Sequence, residues 1–280
     1  MIIVKNSIKR LISLFVCIGM LSVLFVPAYA AERPQTPKAD EYGFVHVNGI
    51  NMEYAVYGAE NEQVMLLFPC NGNDMHNFDG TVLPYLAQSY KVITVSPRGT
   101  GKSERGEGKL TFDVIAEDVN EMLEQMNIES VYIFGFSDGG NLGLVFTLAY
   151  PEKVEKLAIM GANINPLGTK PSSQIGIVFD YIILRIKYFF TKDPAVALEG
   201  DIEGMMVNQP TMKFKDLEKI GIPVLNIFGQ SDMMFRIHSK RITKHIPDCS
   251  ELMVKGGGHS SCFDYTDDVI APALLEFFAD

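Results

Sequence analysis

Five short, largely apolar runs constrain the fold of this 280-residue chain more than any other feature. They are Val64–Phe68, Lys91–Val95, Val131–Phe134, Val154–Met160 and Ile222–Phe228. A strand with one wet face alternates apolar and polar residues, whereas a run apolar at consecutive positions suits a parallel strand covered on both faces. Helical patterns lie between the runs. In Phe112–Met126, for example, Ile115, Val119, Met122 and Met126 recur at spacings of four, three and four. Strand and helix in alternation predict an α/β fold, with a mostly parallel central sheet flanked by helices. Ahead of them, Phe44–Val47 and Asn51–Tyr57 flank Asn48-Gly49, a hairpin signal.

One interval breaks the rhythm. About 60 residues separate Met160 from Ile222, several times the length of a plain crossover. Within it, residues 175–190 (IGIVFDYIILRIKYFF) carry only Asp180, Arg185 and Lys187 as charges. The stretch is too short and too charged to span a bilayer. It predicts an inserted helical cap at about 165–212, its apolar side chains buried as cap core or, for some of them, lining an apolar pocket.

The N-terminus has a different character. Lys5, Lys9 and Arg10 precede an apolar run from Leu11 to Val26, and Pro27 and Ala28-Tyr29-Ala30 follow. A basic start, a short apolar middle and a small-x-small end are the layout of a secretory signal peptide. The run has 16 residues, interrupted by Ser13, Gly19 and Ser22, and an uncleaved anchor needs about 20. Cys17 follows Val16 and sits mid-run, which argues against lipid attachment. Cleavage after Ala30 is therefore expected, with a secreted or extracytoplasmic product and no stable membrane span. Residues 31–41 then read as an extended lead-in. Cleavage removes three basic residues, moving the net charge from −10 to −13 and arguing against a nucleic-acid partner. It also leaves Cys70, Cys249 and Cys262, an odd number, so disulfides are not the main source of stability.

The sharpest chemical signal is Gly135-Phe136-Ser137-Asp138-Gly139-Gly140, between a buried-strand pattern and a helical one, Asn141–Tyr150. A serine hydroxyl becomes a useful nucleophile only when exposed on a tight turn beside a base and near oxyanion donors. Glycines at −2 and +2 permit that strand-to-helix turn. An acid and a histidine should follow, each just after a strand. Asp232 follows Ile222–Phe228, and His259 follows Glu251–Val254 within Gly256-Gly-Gly-His259. Alone, Asp232 is a turn residue and His259 a loop residue; their order and context carry the assignment.

On these residues the sequence resembles the α/β-hydrolase family, particularly its compact cap-bearing esterase-like members, over residues 42–280. Further points of resemblance are Asn71-Gly72 after the third strand, Arg98-Gly99-Thr-Gly-Lys-Ser103 after the fourth, Pro151-Glu-Lys-Val154, and Gly161–Pro166 at the entry to the cap. The resemblance implies Ser137 as nucleophile, His259 as general base and acid, and Asp232 as the group that holds the imidazole. It also implies backbone N–H groups of Asn71 and Asp138 as oxyanion donors, a small-molecule substrate and no cofactor; the apolar cap sequence suggests that the substrate has an apolar part. Two positions depart from the family pattern. Pro69-Cys70 stands where His-Gly is usual, and Ser96 where many members have Asp, so altered local contacts are expected there.

Other signals are weaker. Gly101-Lys102-Ser103 mimics the end of a P-loop, but Ser96 occupies the position of its first glycine. Cys70 has no evident base; a packed or partly exposed thiol is expected, with a bridge to Cys262 left open. His46, His76, His238 and His245 lack metal-ligand spacing. His76 falls in the expected oxyanion loop, where a surface or capping role competes with pocket lining.

Overall fold

The computed structural model describes residues 33–279. The expected signal peptide, residues 1–30, lies outside the described residues. Among the described residues there are eight strands: five at the apolar runs, two at the expected hairpin and one at the strand-like segment before His259. They are β1 (Glu41–Val47), β2 (Ile50–Tyr57), β3 (Val64–Phe68), β4 (Lys91–Val95), β5 (Val131–Phe136), β6 (Val154–Met160), β7 (Val224–Gly229) and β8 (Cys249–Val254). The irregular lead-in ends at Asp40, one residue earlier than expected, because Glu41 already pairs with Val56.

These strands form one sheet in the order β1-β2-β4-β3-β5-β6-β7-β8. The β1–β2 and β2–β4 pairings are antiparallel, and every pairing from β4 onward is parallel. Both faces are covered, as the consecutive apolar pattern requires. Along β3, Leu66 and Phe68 enter one core with Ile115, Val119 and Phe146, while Met65 and Leu67 enter the other with Phe78, Phe134 and Phe278. The chain crosses from β4 to the far side of β3 to make β5. In an open α/β sheet such a reversal opens a crevice at the carboxyl ends of the strands.

The helices are α1 (Leu83–Leu86), α2 (Phe112–Gln125), α3 (Asp138–Ala149), α4 (Pro171–Thr191), α5 (Pro194–Asn208), α6 (Phe214–Leu217), α7 (Arg236–His245) and α8 (Ala271–Ala279). The side chain of Thr111 caps α2 by accepting from the Val114 N–H at 3.2 Å. Helix α3 begins three residues before the expected Asn141, directly after Ser137.

The interval between β6 and β7 is helical, but its apolar run is not cap core. Helix α4 has no buried residue, and Ile175, Phe179, Phe189 and Phe190 are all exposed. The physical reason is that, among the described residues, α4 has one broad partner. Tyr181 and Leu184 lean on α5, where Gly204 and Gly200 present bare backbone, and the opposite side of the helix meets solvent.

The family departures are resolved locally. Ser96 Oγ donates to Glu53 Oε2 at 2.9 Å and accepts from the Met75 N–H at 3.2 Å. Ser103 Oγ accepts from the Glu53 N–H at 2.8 Å and donates to the Ser96 carbonyl at 2.5 Å, so the P-loop-like serine ties strands together. Beside them Arg98 forms a buried ion pair with Asp118 and donates to the Asn48 carbonyl at 2.9 Å.

Candidate active site

Ser137 sits at the junction of β5 and α3 with φ 57° and ψ −119°, a conformation that costs a non-glycine residue about 1–3 kcal/mol. The turn is held because nothing bulkier fits beside it. A Cβ on Gly139 would run into the Phe68 carbonyl, and one on Gly135 into the Gly139 carbonyl. The Ser137 N–H donates to the Met160 carbonyl at 2.7 Å, pinning the turn to β6. Strain and close packing together aim the hydroxyl at the crevice.

Asp232 and His259 arrive from the loops after β7 and β8. His259 Nδ1 lies 2.8 Å from Asp232 Oδ1, and its Nε2 lies 2.9 Å from Ser137 Oγ. A carboxylate at Nδ1 favours the neutral tautomer protonated there, which leaves the Nε2 lone pair facing the serine. Asp232 is 3% exposed. Burial alone would raise its carboxyl, but the His259 contact and the Met234 and Gly229 N–H groups outweigh burial and hold it below the usual range. The Phe136 ring packs 5.1 Å from the imidazole, fixing its plane from beneath.

The other two residues expected here, Asn71 and Asp138, also reach the crevice. Among the described residues, neither backbone N–H has an acceptor within the protein. That of Asp138 is the first amide of α3, one of the orphan donors at a helix start that suit developing negative charge. The proline and cysteine before Asn71 are accommodated by a tight turn. The Cys70 N–H donates to Asn77 Oδ1 at 2.7 Å, and the Asn73 N–H closes on the Cys70 carbonyl at 3.1 Å.

Asp138 and Asn71 are joined through their side chains as well. Asn71 Nδ2 donates to Asp138 Oδ2 at 2.8 Å, and Asn141 Nδ2 donates to Oδ1 at 3.0 Å. Desolvation nonetheless pushes the Asp138 carboxyl up to about 6, with the two amides and His259 opposing it. Glu203 on α5 is likewise raised, first by burial and then by Asp180 and Asp138. Both carboxyls line a cavity of about 360 Å³ that also holds Ser137, His259, Asn71 and Met234.

Sequence reading missed Glu203 and also Lys170, whose Nζ donates to the Asp232 carbonyl at 2.5 Å. No local pattern marks either residue; Lys170 meets Asp232 across 62 positions of sequence, and Glu203 comes to the site from the inserted helix α5. The remaining candidates separate cleanly. Cys70, Cys249 and Cys262 are all free, and burial pushes the Cys70 thiol up to about 11, so it stays protonated at neutral pH. His76 is exposed and pairs with Asp79 at 2.9 Å. His238 is buried, and burial pulls it down to about 4; its Nε2 accepts from the Ile164 N–H at 3.2 Å.

Residues 63–202 match the model of the family described as alpha/beta hydrolase fold. The chain belongs to that family. It is an enzyme, a hydrolase. Its relatives include a putative non-heme chloroperoxidase of Synechocystis, 27% identical over 81% of this chain and 95% of that protein. A 2-hydroxy-6-oxo-6-(2'-aminophenyl)hexa-2,4-dienoic acid hydrolase of Metapseudomonas resinovorans is 22% identical over 84% of this chain and 90% of that protein. Among solved structures, the enol-lactonase of Burkholderia xenovorans superposes with a TM-score of 0.70 at 17% identity, over 85% of this chain and all of that one. Among the described residues of this hydrolase, no helix is long and apolar enough to cross a membrane.

Proposed function

We propose that the chain is an exported serine hydrolase that cleaves a carboxylic ester through an acyl-enzyme. The observation that carries this reading is the imidazole of His259, within hydrogen-bond reach of both Ser137 Oγ and the Asp232 carboxylate. Ser137 Oγ attacks the ester carbonyl while His259 Nε2 takes its proton, and Asp232 stabilises the imidazolium that forms. The N–H groups of Asn71 and Asp138 receive the oxyanion. Collapse of the tetrahedral species expels the alcohol, protonated by Nε2. Water then attacks the acyl-enzyme with the same histidine as base, releasing the acid and restoring the serine. Export rests on the layout of residues 1–30, and N-terminal sequencing of the exported protein should begin at Ala31.

The cavity lining narrows the substrate. Among the described residues no Lys or Arg lines it, while Asp138 and Glu203 do. A substrate carrying a carboxylate beside the scissile bond would meet two acids and no cation, so a neutral or amine-bearing acyl group fits better than a dienoate anion. Ile177, Met206, Met233 and Met234 supply the apolar wall.

The test is hydrolysis of p-nitrophenyl acetate, butyrate and octanoate, alongside labelling by a fluorophosphonate probe. Wild type should turn over at least one ester and label, and Ser137→Ala should do neither while keeping its circular dichroism. Folded wild type that neither labels nor hydrolyses would instead support a non-catalytic binding role on the same fold. Labelling without ester turnover would direct attention to carbon–carbon, peracid or peptide chemistry at the same serine.

A further inference from the structure

We infer that the outer face of α4 is a docking surface for an anionic lipid interface. On a helical wheel of 100° per residue, Ile175, Phe179, Ile182, Ile183, Ile186, Phe189 and Phe190 fall in one arc of about 120°. All seven are exposed, from 45% at Ile183 to 78% at Phe190. The side facing the protein is separate. Tyr181 and Leu184 meet α5, and Ile177 lines the cavity that holds Ser137. The helix is therefore apolar on two opposite sides, and only one has a partner among the described residues.

Charge identifies the occupant. Residues 171–192 carry Arg185, Lys187 and Lys192 against Asp180, a local net of +2 in a chain whose total is −10. The cations flank the apolar arc on both sides, Arg185 and Lys192 along one edge and Lys187 along the other. Lys192 Nζ lies 4.8 Å from the Phe189 ring centre, and the Arg185 guanidinium 5.8 Å from that of Tyr188. Rings and aliphatic side chains in the middle, with long cationic side chains at the rim, match the boundary between acyl chains and anionic headgroups. A second copy of the chain is a poorer match. Arg185 already pairs with Asp201 of α5 at 3.5 Å, so two such faces together bring Lys187 and Lys192 against Asp180 from each side, and the excess positive charge of their rims remains unneutralised. An anionic lipid surface neutralises it.

The chain contains no tryptophan, so one introduced on this face reports alone. Phe189→Trp in the full chain, mixed with vesicles of phosphatidylcholine and phosphatidylglycerol, should shift its emission to the blue and be quenched by brominated acyl chains. Phe44→Trp, an exposed position on β1, should show neither effect, which separates docking of α4 from tethering by the apolar N-terminal segment. Adding Lys187→Gln or Lys192→Gln to Phe189→Trp should weaken partition roughly fivefold each. Three results would overturn the inference: no shift with any vesicle, an equal shift at Phe44→Trp, or a shift without vesicles that grows with protein concentration, which would assign the face to a second copy. The readout does not depend on turnover, so it stands or falls separately from the chemistry of Ser137.

Discussion

Strand β5 and helix α4 are both written in large apolar residues, and the fold treats them in opposite ways. Val131, Ile133 and Phe134 of β5 are fully buried, whereas no residue of α4 is. The difference lies in how many neighbours each element has. A central strand is paired on both edges and covered on both faces. An inserted helix reached by a single excursion between β6 and β7 touches one companion helix and the rim of the site. Apolarity dictates burial only where topology supplies cover; elsewhere it becomes surface chemistry.

The largest effect that sharpens this contrast belongs to the strand-end loops. Asp232→Asn should lower kcat about 10⁴-fold in the ester assay, because it favours the wrong imidazole tautomer. Stopped-flow or steady-state kinetics at saturating ester would measure it; a loss under tenfold would detach the acid from the chemistry. Next comes the core. Phe134→Ala should cost about 3–5 kcal/mol in urea denaturation, as expected for deleting a buried ring.

A smaller effect concerns pH. The Asp138 carboxyl is raised from 3.8 to about 6 in the folded chain, so between those values the native state binds more protons than the unfolded one. Through this group, stability is favoured at low pH and falls as pH rises from about 4 to about 6. Relative to Asp138→Asn, wild type should lose at most about 3 kcal/mol over that window, read from denaturation midpoints at each pH. Asp232, held below its usual range, acts in the opposite direction; its contribution is present above the unfolded value and fades as pH falls through the folded one. The smallest effect is on the exposed helix. Phe190→Ala should change stability by less than about 0.5 kcal/mol, and a larger cost would mean that α4 is covered after all.

What sequence could disclose follows the same divide. The strands, the serine turn and the acid-then-histidine order were legible because each depends on a local pattern: a run, a glycine spacing, a loop after a strand. Helix α4 was legible as a helix, yet its exposure was not, since an apolar stripe looks alike whether its partner exists or not. Glu203 and Lys170 were invisible for a related reason. Their roles come from the return of a distant segment, and neither residue type nor spacing announces it. Asn71 fell between the two. Its place after β3 was readable, but its side-chain tie to Asp138 emerged only when two loops met.

The root of α4 is sewn to the loop that carries the acid. The Lys170 N–H donates to the Met233 carbonyl at 2.8 Å, and the Phe235 N–H to the Gly168 carbonyl at 2.7 Å. Lys170 Nζ adds its bond to the carbonyl of Asp232 itself. For anyone grafting a different insertion onto this scaffold, the seam matters more than the helix. An exchange cut after Lys170 keeps all three stitches, whereas one cut at Asn165 puts at risk the one made by a side chain, the Lys170 ammonium on the Asp232 carbonyl. Substrate range could thus be re-engineered by transplant, provided residues 166–170 travel with the recipient and not with the donor.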